Sequence, residues 1–418
     1  MEKVSTSSIK NDLQPVVIIP GLGQSRLEYR LKNDEKLNEY KPLWLDMNAI
    51  NRYKQQYLTN LEIQYNPETD EYSSANHVEV RAQEFGGVNG FSILDPNYPE
   101  HTDRFSVLVK DLESVGYVVG KSLFGAPYDF RLAGPTNVKK FGFFADFQNL
   151  IEKAYTINDD KKVFLLGHSL GCILSNHFLS SFVSDQWKKK YIEAFISVNG
   201  PYGGVVPCFG QIAAYRKWMI PGVSAEESYS MVKFSAPTYW ILPNKHGFDE
   251  DNDIFAEIPS LGVKITVKNM PWVFESTGRL KQLCAMNNII DIRDQLQSPG
   301  TKSYIFTCTG KPTLQKIIYH GSQLKQEQNK DKDQEQNKEQ NKEQNQEHGD
   351  WWKHEGEEIM SDGDGQVLVK SLRVPYLWGK MQKDPVVVKE YSNADHSGIL
   401  KDETFLRDLK AIIFEGRK

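Results

Sequence analysis

An α/β fold built on a doubly wound, largely parallel sheet is the class this sequence predicts, and three observations carry it. The apolar runs Val16–Ile19, Val163–Leu166 and Ala194–Val198 lack polar alternation, as strands buried on both faces do. Between the first two runs lie stretches of helical spacing, Phe105-Val107-Leu108-Val109-Leu112 and Phe144-Phe147-Ile151-Ala154. The second run then passes through Gly167-His168-Ser169-Leu170-Gly171 into Ile173, Leu174, Phe178 and Leu179, the apolar stripe of a following helix. The order strand, helix, loop, helix, strand, helix suits a sheet with helices on both faces.

Taken in order, residues 1–14 are a polar N-terminal extension without the apolar core of a signal peptide. The strand Pro15–Ile19 ends in the glycine-rich turn Pro20-Gly21-Leu22-Gly23. Residues 29–99 are mixed, polar and rich in tyrosine, with Leu43-Trp44-Leu45 as their most apolar point. They read as an insertion lying over a site rather than as a sheet layer. The helix at Phe105 closes at Gly116, and Gly120 to Ala133 reads as a loop rather than a strand.

After Val198 the chain runs through Asn199-Gly200-Pro201-Tyr202-Gly203-Gly204 into residues 205–299. Their lack of strand–helix rhythm and their scattered Trp218, Trp240, Trp272 and Phe274 mark a second insertion, a cap, within which the motif Ser235–Pro243 sits. Ser303–Thr307 returns to strand character. From 325 to 347 the chain repeats Glu-Gln-Asn-Lys almost without an apolar residue. Such a composition cannot offset its ordering entropy, and a disordered surface loop is expected. Ser361-Asp362-Gly363-Asp364-Gly365-Gln366-Val367 is a tight acidic turn that lacks the spaced oxygen ligands of a calcium loop. Val386-Val387-Val388 is the last strand, and Phe405, Leu406, Leu409, Ile412 and Ile413 form the closing helix. One domain over 15–418, carrying the insertions at 29–99 and 205–299 and the loop at 325–347, accounts for the whole pattern.

Composition narrows the function. A formal charge of −5 over 418 residues, with both signs interspersed, gives no reason to expect a nucleic-acid partner. No run approaches the roughly 18 apolar residues of a membrane span. The four cysteines, Cys172, Cys208, Cys284 and Cys308, show no paired spacing, which argues against a disulfide framework or a zinc site. No metal or other cofactor is expected.

The Gly167–Gly171 segment is a nucleophile elbow. A turn this sharp needs glycine two residues either side of the serine, and it exposes Ser169 Oγ at the carboxyl edge of the sheet beside a helix N-terminus. In an α/β-hydrolase the early turn after the first strand lies beside the elbow and gives one N–H to the oxyanion hole. The chain order of serine on an elbow, acid in a later turn and His396 in a loop after the last strand is the order of such hydrolases. Ser169 is then the nucleophile, His396 the general base and then acid, and Asp364 or Asp362 the acid that fixes the imidazole tautomer. His168 and His177 read as packing or hydrogen-bonding residues.

Several motifs together resemble the lecithin:cholesterol acyltransferase family, which includes the lysosomal group XV phospholipase. They are Pro20-Gly21 through Leu27-Glu28, Leu43-Trp44-Leu45-Asp46, Gly125-Ala126-Pro127-Tyr128-Asp129-Phe130-Arg131, Gly167–Gly171, Tyr239-Trp240-Ile241-Leu242-Pro243, Asp362-Gly363-Asp364-Gly365-x-Val367 and Asp395-His396. The resemblance implies an α/β-hydrolase core with a cap and a membrane-binding subdomain. It implies the triad Ser169, Asp364 and His396, with Leu22 and Leu170 as the oxyanion-hole N–H donors. It places Leu43-Trp44-Leu45 in the membrane-facing part, where an indole flanked by two aliphatic residues suits an interface; the alternative is that Trp44 is buried core of the insertion. The expected activity is that of a phospholipase and lipid acyltransferase working at a phospholipid membrane surface, with a lipid acyl donor and water or a lipid alcohol as acceptor. The alternatives are a neutral-lipid or small-ester hydrolase on the same scaffold and a non-catalytic lipid-binding protein.

The chain departs from the family's secreted and lysosomal members at two points. The first of their two disulfides has no cysteine here, Cys308 beside the strand of the second has no partner near Pro375, and Leu22 stands where they usually carry an acid or cysteine. With no signal peptide and no Asn-x-Ser/Thr sequon, this predicts a cytoplasmic location or one peripheral to intracellular membranes, and activity near neutral pH. A secretory or lysosomal location is the alternative if a leader is missing.

Overall fold

The computed structural model describes residues 13–32, 39–134, 142–217, 220, 222–320, 351–392 and 394–415. The repeat at 325–347 and most of the N-terminal extension lie outside these residues.

After β1 (Val16–Ile19) the first insertion supplies β2 (Leu27–Leu31), β3 (Lys41–Trp44), α1 (Met47–Leu61), β4 (Ile63–Asn66), β5 (Glu71–Ser74) and β6 (Val78–Ala82). The core resumes with α2 (Ser106–Ser114), β7 (Leu123–Gly125), α3 (Phe143–Thr156), β8 (Val163–His168), α4 (Leu170–Ser181) and β9 (Ile192–Val198). The second insertion contributes α5 (Val206–Ala213), α6 (Ala225–Val232), α7 (Ala236–Trp240), β10 (Ala256–Ile258), β11 (Val263–Ile265) and α8 (Leu280–Arg293). The chain closes with β12 (Ser303–Cys308), β13 (Lys311–Ile318), β14 (Glu357–Gly363), β15 (Val386–Tyr391) and α9 (Glu403–Phe414).

The central sheet has the order β15-β12-β9-β8-β1-β7, and every neighbouring pair is parallel. Alternate side chains leave the strands on opposite faces. Val17, Ile19 and Leu165 therefore pack with Phe144, Phe147 and Phe178 of α3 and α4. Val16, Ile18, Phe164 and Leu166 pack with Leu108 and Leu112 of α2 and with Phe405 and Leu409 of α9. Helices cover both faces, so the sheet is doubly wound, as the apolar runs predicted.

Four readings need correction or completion. Leu123–Gly125 is a strand, not a loop: it pairs with β1 over only three residues, too short a run for the sequence to show alternation. The first insertion is no layer of the central sheet, but it does carry sheets of its own, β3-β2-β6 and the hairpin β4-β5. The second insertion, read as lacking strand–helix rhythm, does contain strands: β10 pairs in parallel with β13, and both belong to a four-stranded sheet of order β11-β10-β13-β14. Leu43 and Trp44 are 1% and 4% exposed, so they offer no face to a membrane here, and Leu45 is half-buried beside them. Their apolar surface is used inward, under the turn that follows β1. Among the described residues no helix is long and apolar enough to cross a membrane.

Candidate active site

Ser169 sits between β8 and α4 with φ 53° and ψ −124°, a strained conformation for a residue with a Cβ. The glycines around it are required by space. A Cβ on Gly171 would lie 2.2 Å from the Ile19 carbonyl oxygen, and one on Gly167 would lie 2.9 Å from the backbone of Cys172. The Ser169 N–H donates to the Val198 carbonyl at the end of β9 (2.9 Å), which holds the elbow against the sheet edge.

His396 lies in the loop after β15, and its Nε2 is 2.9 Å from Ser169 Oγ. Its Nδ1 is 2.6 Å from Asp364 Oδ2. A carboxylate only accepts, so Nδ1 carries the proton, and the free lone pair of Nε2 receives the serine O–H. The acid is held as firmly as the base. Asp364 is fully buried, and its Oδ1 accepts the N–H groups of Gln366 (2.9 Å) and Val367 (2.7 Å). The His396 N–H donates to the Asp364 carbonyl (2.7 Å), tying the two loops by main chain as well as side chain. Asp362, the competing acid, is exposed and accepts the Gly310 N–H at 2.6 Å instead.

Leu22 and Leu170 flank this pair. Leu170 is the first residue of α4, at the positive end of that helix's dipole. Among the described residues, neither N–H is spent on an acceptor. The turn carrying Leu22 is gripped by its carbonyls: Tyr128 Oη donates to Pro20 O (2.8 Å), and Trp44 Nε1 donates to Gly23 O (2.8 Å). Both donors are buried, and burial pushes the Tyr128 phenol above its ordinary range, so it stays a donor. Gln24 completes the turn, with Oε1 accepting the Gly21 N–H at 2.7 Å.

Behind the elbow, His168 links three segments. Its Nδ1 lies 2.9 Å from Gln24 Oε1, and its Nε2 lies 2.8 Å from the His396 carbonyl oxygen. That carbonyl also accepts from Asn199 Nδ2 (2.9 Å), while Asn199 Oδ1 accepts the Cys308 N–H (2.8 Å). Two oxygen neighbours would suit an imidazolium, but complete burial pushes the His168 pKa down to about 3. A buried charge without a counter-ion costs several kcal/mol, against about 1–3 kcal/mol for one unmade hydrogen bond. The ring is therefore neutral and donates to one neighbour only. His177, by contrast, lies on α4 near Ser181 and Trp240, away from this network.

Ser169, His396, Asp364, Leu22 and Gln24 border a cavity of about 550 Å³ whose apolar wall includes Leu22, Trp44, Leu45, Leu94, Val205 and Ile241. The structure thus brings together Ser169, His396, Asp364 and the turn of Leu22, and it places Leu43 outside the cavity lining. Sequence reasoning missed Gln24, Asn199 and Tyr128. Of these, Tyr128 stands in the run Gly125–Arg131 and Gln24 in the run Pro20–Glu28, whereas Asn199 stands in neither motif. Among the described residues no cluster of three or more His, Cys, Asp or Glu is placed to hold a metal ion.

Known proteins resemble the chain along nearly its whole length. The chain is 26% identical to lecithin-cholesterol acyltransferase-like 1 of Arabidopsis thaliana, covering 96% of this chain and 90% of that protein. It is 25% identical to phosphatidylcholine-sterol acyltransferase of Mus musculus, with 97% and 86% covered. To lysosomal phospholipase A and acyltransferase of Homo sapiens it is 24% identical, with 96% and 90% covered. Among solved structures, a chain of the Tle4–Tli4 complex superposes with a TM-score of 0.55 at 12% identity, covering 96% of this chain and 98% of that one, which is a likeness of fold. The family profile described as lecithin:cholesterol acyltransferase matches residues 40–293, well over half of the sequence. The chain is an α/β-hydrolase by fold and belongs to the lecithin:cholesterol acyltransferase family.

Proposed function

We propose that this chain is a serine-dependent acyl hydrolase and acyltransferase acting on phospholipid esters. The observation that carries the reading is the unbroken hydrogen-bonded series from Ser169 Oγ through His396 to Asp364, at 2.9 and 2.6 Å, on the wall of a largely apolar cavity. The names of the relatives, a phosphatidylcholine-sterol acyltransferase and a phospholipase A and acyltransferase, support a phospholipid as acyl donor.

In this reading Ser169 Oγ attacks the ester carbonyl while His396 Nε2 takes its proton. The charge that develops on the carbonyl oxygen is met by the N–H groups of Leu22 and Leu170, which are already oriented. Asp364 holds the imidazole in the Nδ1–H tautomer and stabilises the imidazolium. His396 then passes the proton to the departing lysophospholipid oxygen, leaving the acyl group on Ser169. Water or a lipid alcohol, deprotonated by His396, removes it and restores the enzyme. The second insertion, which supplies Val205, Gln211 and Ile241 to the cavity wall, acts as the cap, and the first insertion acts as the membrane-side part. We place the enzyme in a reducing intracellular compartment, a reading supported by its four unpaired thiols.

Labelling with a fluorophosphonate and mapping the adduct by mass spectrometry tests the nucleophile. Vesicles of dioleoyl phosphatidylcholine, with ceramide, a sterol or diacylglycerol added in turn, test donor and acceptor through the products. No adduct on Ser169 would leave a lipid-binding protein, and turnover of short-chain esters alone would leave a small-ester hydrolase. Residence of the tagged full chain in the secretory pathway or lysosome would overturn the compartment.

A further inference from the structure

The cavity that opens on Ser169 is also lined by Arg104. Arg104 lies between the short helix Pro99–Thr102 and α2, and its main chain is fixed: its N–H donates to Ser92 O at 2.8 Å. The guanidinium makes two hydrogen bonds, both from Nη1 to carbonyl oxygens, of His101 (3.4 Å) and Asp103 (3.2 Å). Among the described residues it forms no ion pair with a carboxylate. The nearest acid in sequence, Asp103, is engaged by Lys401 (3.1 Å) and by the Ser106 N–H (3.0 Å).

Three other enclosed arginines differ. Arg131 is 4% exposed and grips Asp129 through two nitrogens, at 2.9 and 2.6 Å. Arg293, equally buried, bonds Asp294 at 2.8 Å. Arg216, on the same cavity wall as Arg104, pairs with Glu358 at 3.0 Å. Of these four, Arg104 alone holds no carboxylate in an ion pair; burial pulls its pKa down from the ordinary value, and the charge of the neighbouring Asp103 offsets only part of that. Withdrawing a cation from water without an ion-paired acid is costly, and an anionic ligand in the cavity would supply that pair. Neither acid of the cavity is ion-paired with it: Asp364 is bound to His396, and Asp395 Oδ1 accepts the N–H groups of Ser397 (3.2 Å) and Gly398 (2.7 Å).

We propose that Arg104 binds the phosphodiester of the acyl donor, which makes this side of the cavity a head-group subsite. The inference rests on the phospholipase reading above and deepens it. The unspent Nε and Nη2 of a guanidinium form a planar fork that matches two non-bridging phosphate oxygens. A neutral glyceride offers no such partner, so the subsite selects for phospholipid over neutral ester.

The test uses the full chain with Arg104→Gln and Arg104→Lys. The substrates are dihexanoyl phosphatidylcholine below its micelle concentration, which removes any membrane surface, and p-nitrophenyl butyrate. Loss of a charged hydrogen-bonded pair should lower the ratio of kcat/KM on the phospholipid to that on the neutral ester about 10- to 100-fold in Arg104→Gln. Arg104→Lys should recover part of the ratio, since it keeps the charge without the fork. Glycerophosphocholine should protect wild-type Ser169 from the fluorophosphonate and lose at least about tenfold in affinity in Arg104→Gln. An unchanged ratio, or an equal fall on both substrates, overturns the subsite; protection by inorganic phosphate stronger than by glycerophosphocholine overturns the phospholipid as its source. Wild-type protein that takes the fluorophosphonate but hydrolyses no phospholipid overturns the phospholipase reading instead.

Discussion

The indole Nε1 of Trp44 donates to the carbonyl of Gly23 at 2.8 Å, and its ring meets that of Phe130 edge-on with centroids 5.3 Å apart. One side chain thereby joins the first insertion to the turn that carries the Leu22 N–H. Trp44→Phe keeps most of the ring but leaves the buried Gly23 carbonyl without this donor, at a cost of about 1–3 kcal/mol. Trp44→Ala adds a cavity and should cost about 3–5 kcal/mol. Both variants should lower the melting temperature and should lower turnover of phospholipid and of a soluble short-chain ester alike. Loss confined to vesicle substrate, with an unaltered melting temperature, would return Trp44 to a membrane face.

Asp364 and Asp362 are two residues apart yet meet different partners, so their asparagine variants should separate. Asp364→Asn is expected to lower kcat by about four orders of magnitude, because an amide facing Nδ1 favours the wrong tautomer. Asp362→Asn should leave kcat within about threefold of wild type, since it disturbs only an exposed bond to Gly310. Steady-state kinetics on one soluble ester decides between them, and a large loss in Asp362→Asn would reassign the acid.

His168 gives the fold a pH dependence of definite sign. Its native pKa is depressed to about 3, whereas the unfolded chain takes up a proton near the ordinary value of about 6.5. Between those limits the unfolded state binds more protons, so stability is complete above about pH 6.5 and falls on acidification, by up to about 1.4 kcal/mol per pH unit. Urea midpoints from about pH 7 to about pH 4 should show this slope in wild type and a shallower one in His168→Gln. Equal slopes would locate the acid sensitivity elsewhere.

The four thiols should react unequally. Burial pushes Cys172, Cys208 and Cys308 up to about 12, while Cys284 is half-buried on α8. Only a thiolate reacts at an appreciable rate, so a thiol reagent near neutral pH should titrate Cys284 alone in the native protein and all four after unfolding. Fewer than four in denaturant without reductant would reveal a disulfide and count against a reducing compartment.

The parts of this molecule legible in the sequence were those in which local pattern and global position coincide. Val163–Leu166 is apolar because it lies mid-sheet, and Gly167 and Gly171 are glycine because the elbow leaves no room for a Cβ; both show without coordinates. Leu123–Gly125 did not show, since three residues next to a glycine-rich loop carry no period. Trp44 misled for a physical reason: an indole's apolar body and polar edge suit a bilayer interface and a buried carbonyl equally well, and only the position of Gly23 distinguishes them. Gln24 and Arg104 were silent because their importance lies in partners, present for one and absent for the other, that are distant in sequence.

The pairing of β10 with β13 bears on how this scaffold can be rebuilt. The turn holding Asp364 begins where β14 ends, β14 is zipped to β13, and β13 is bonded to a strand contributed by residues 205–299. A graft that exchanged those residues for the corresponding stretch of a relative would cut through one continuous ladder and leave the acid's own hairpin with an unpaired edge. Recombination that respects the ladder has to carry Ala256–Ile265 and Lys311–Gly363 together, so chimeras split between them should express poorly before any question of specificity arises.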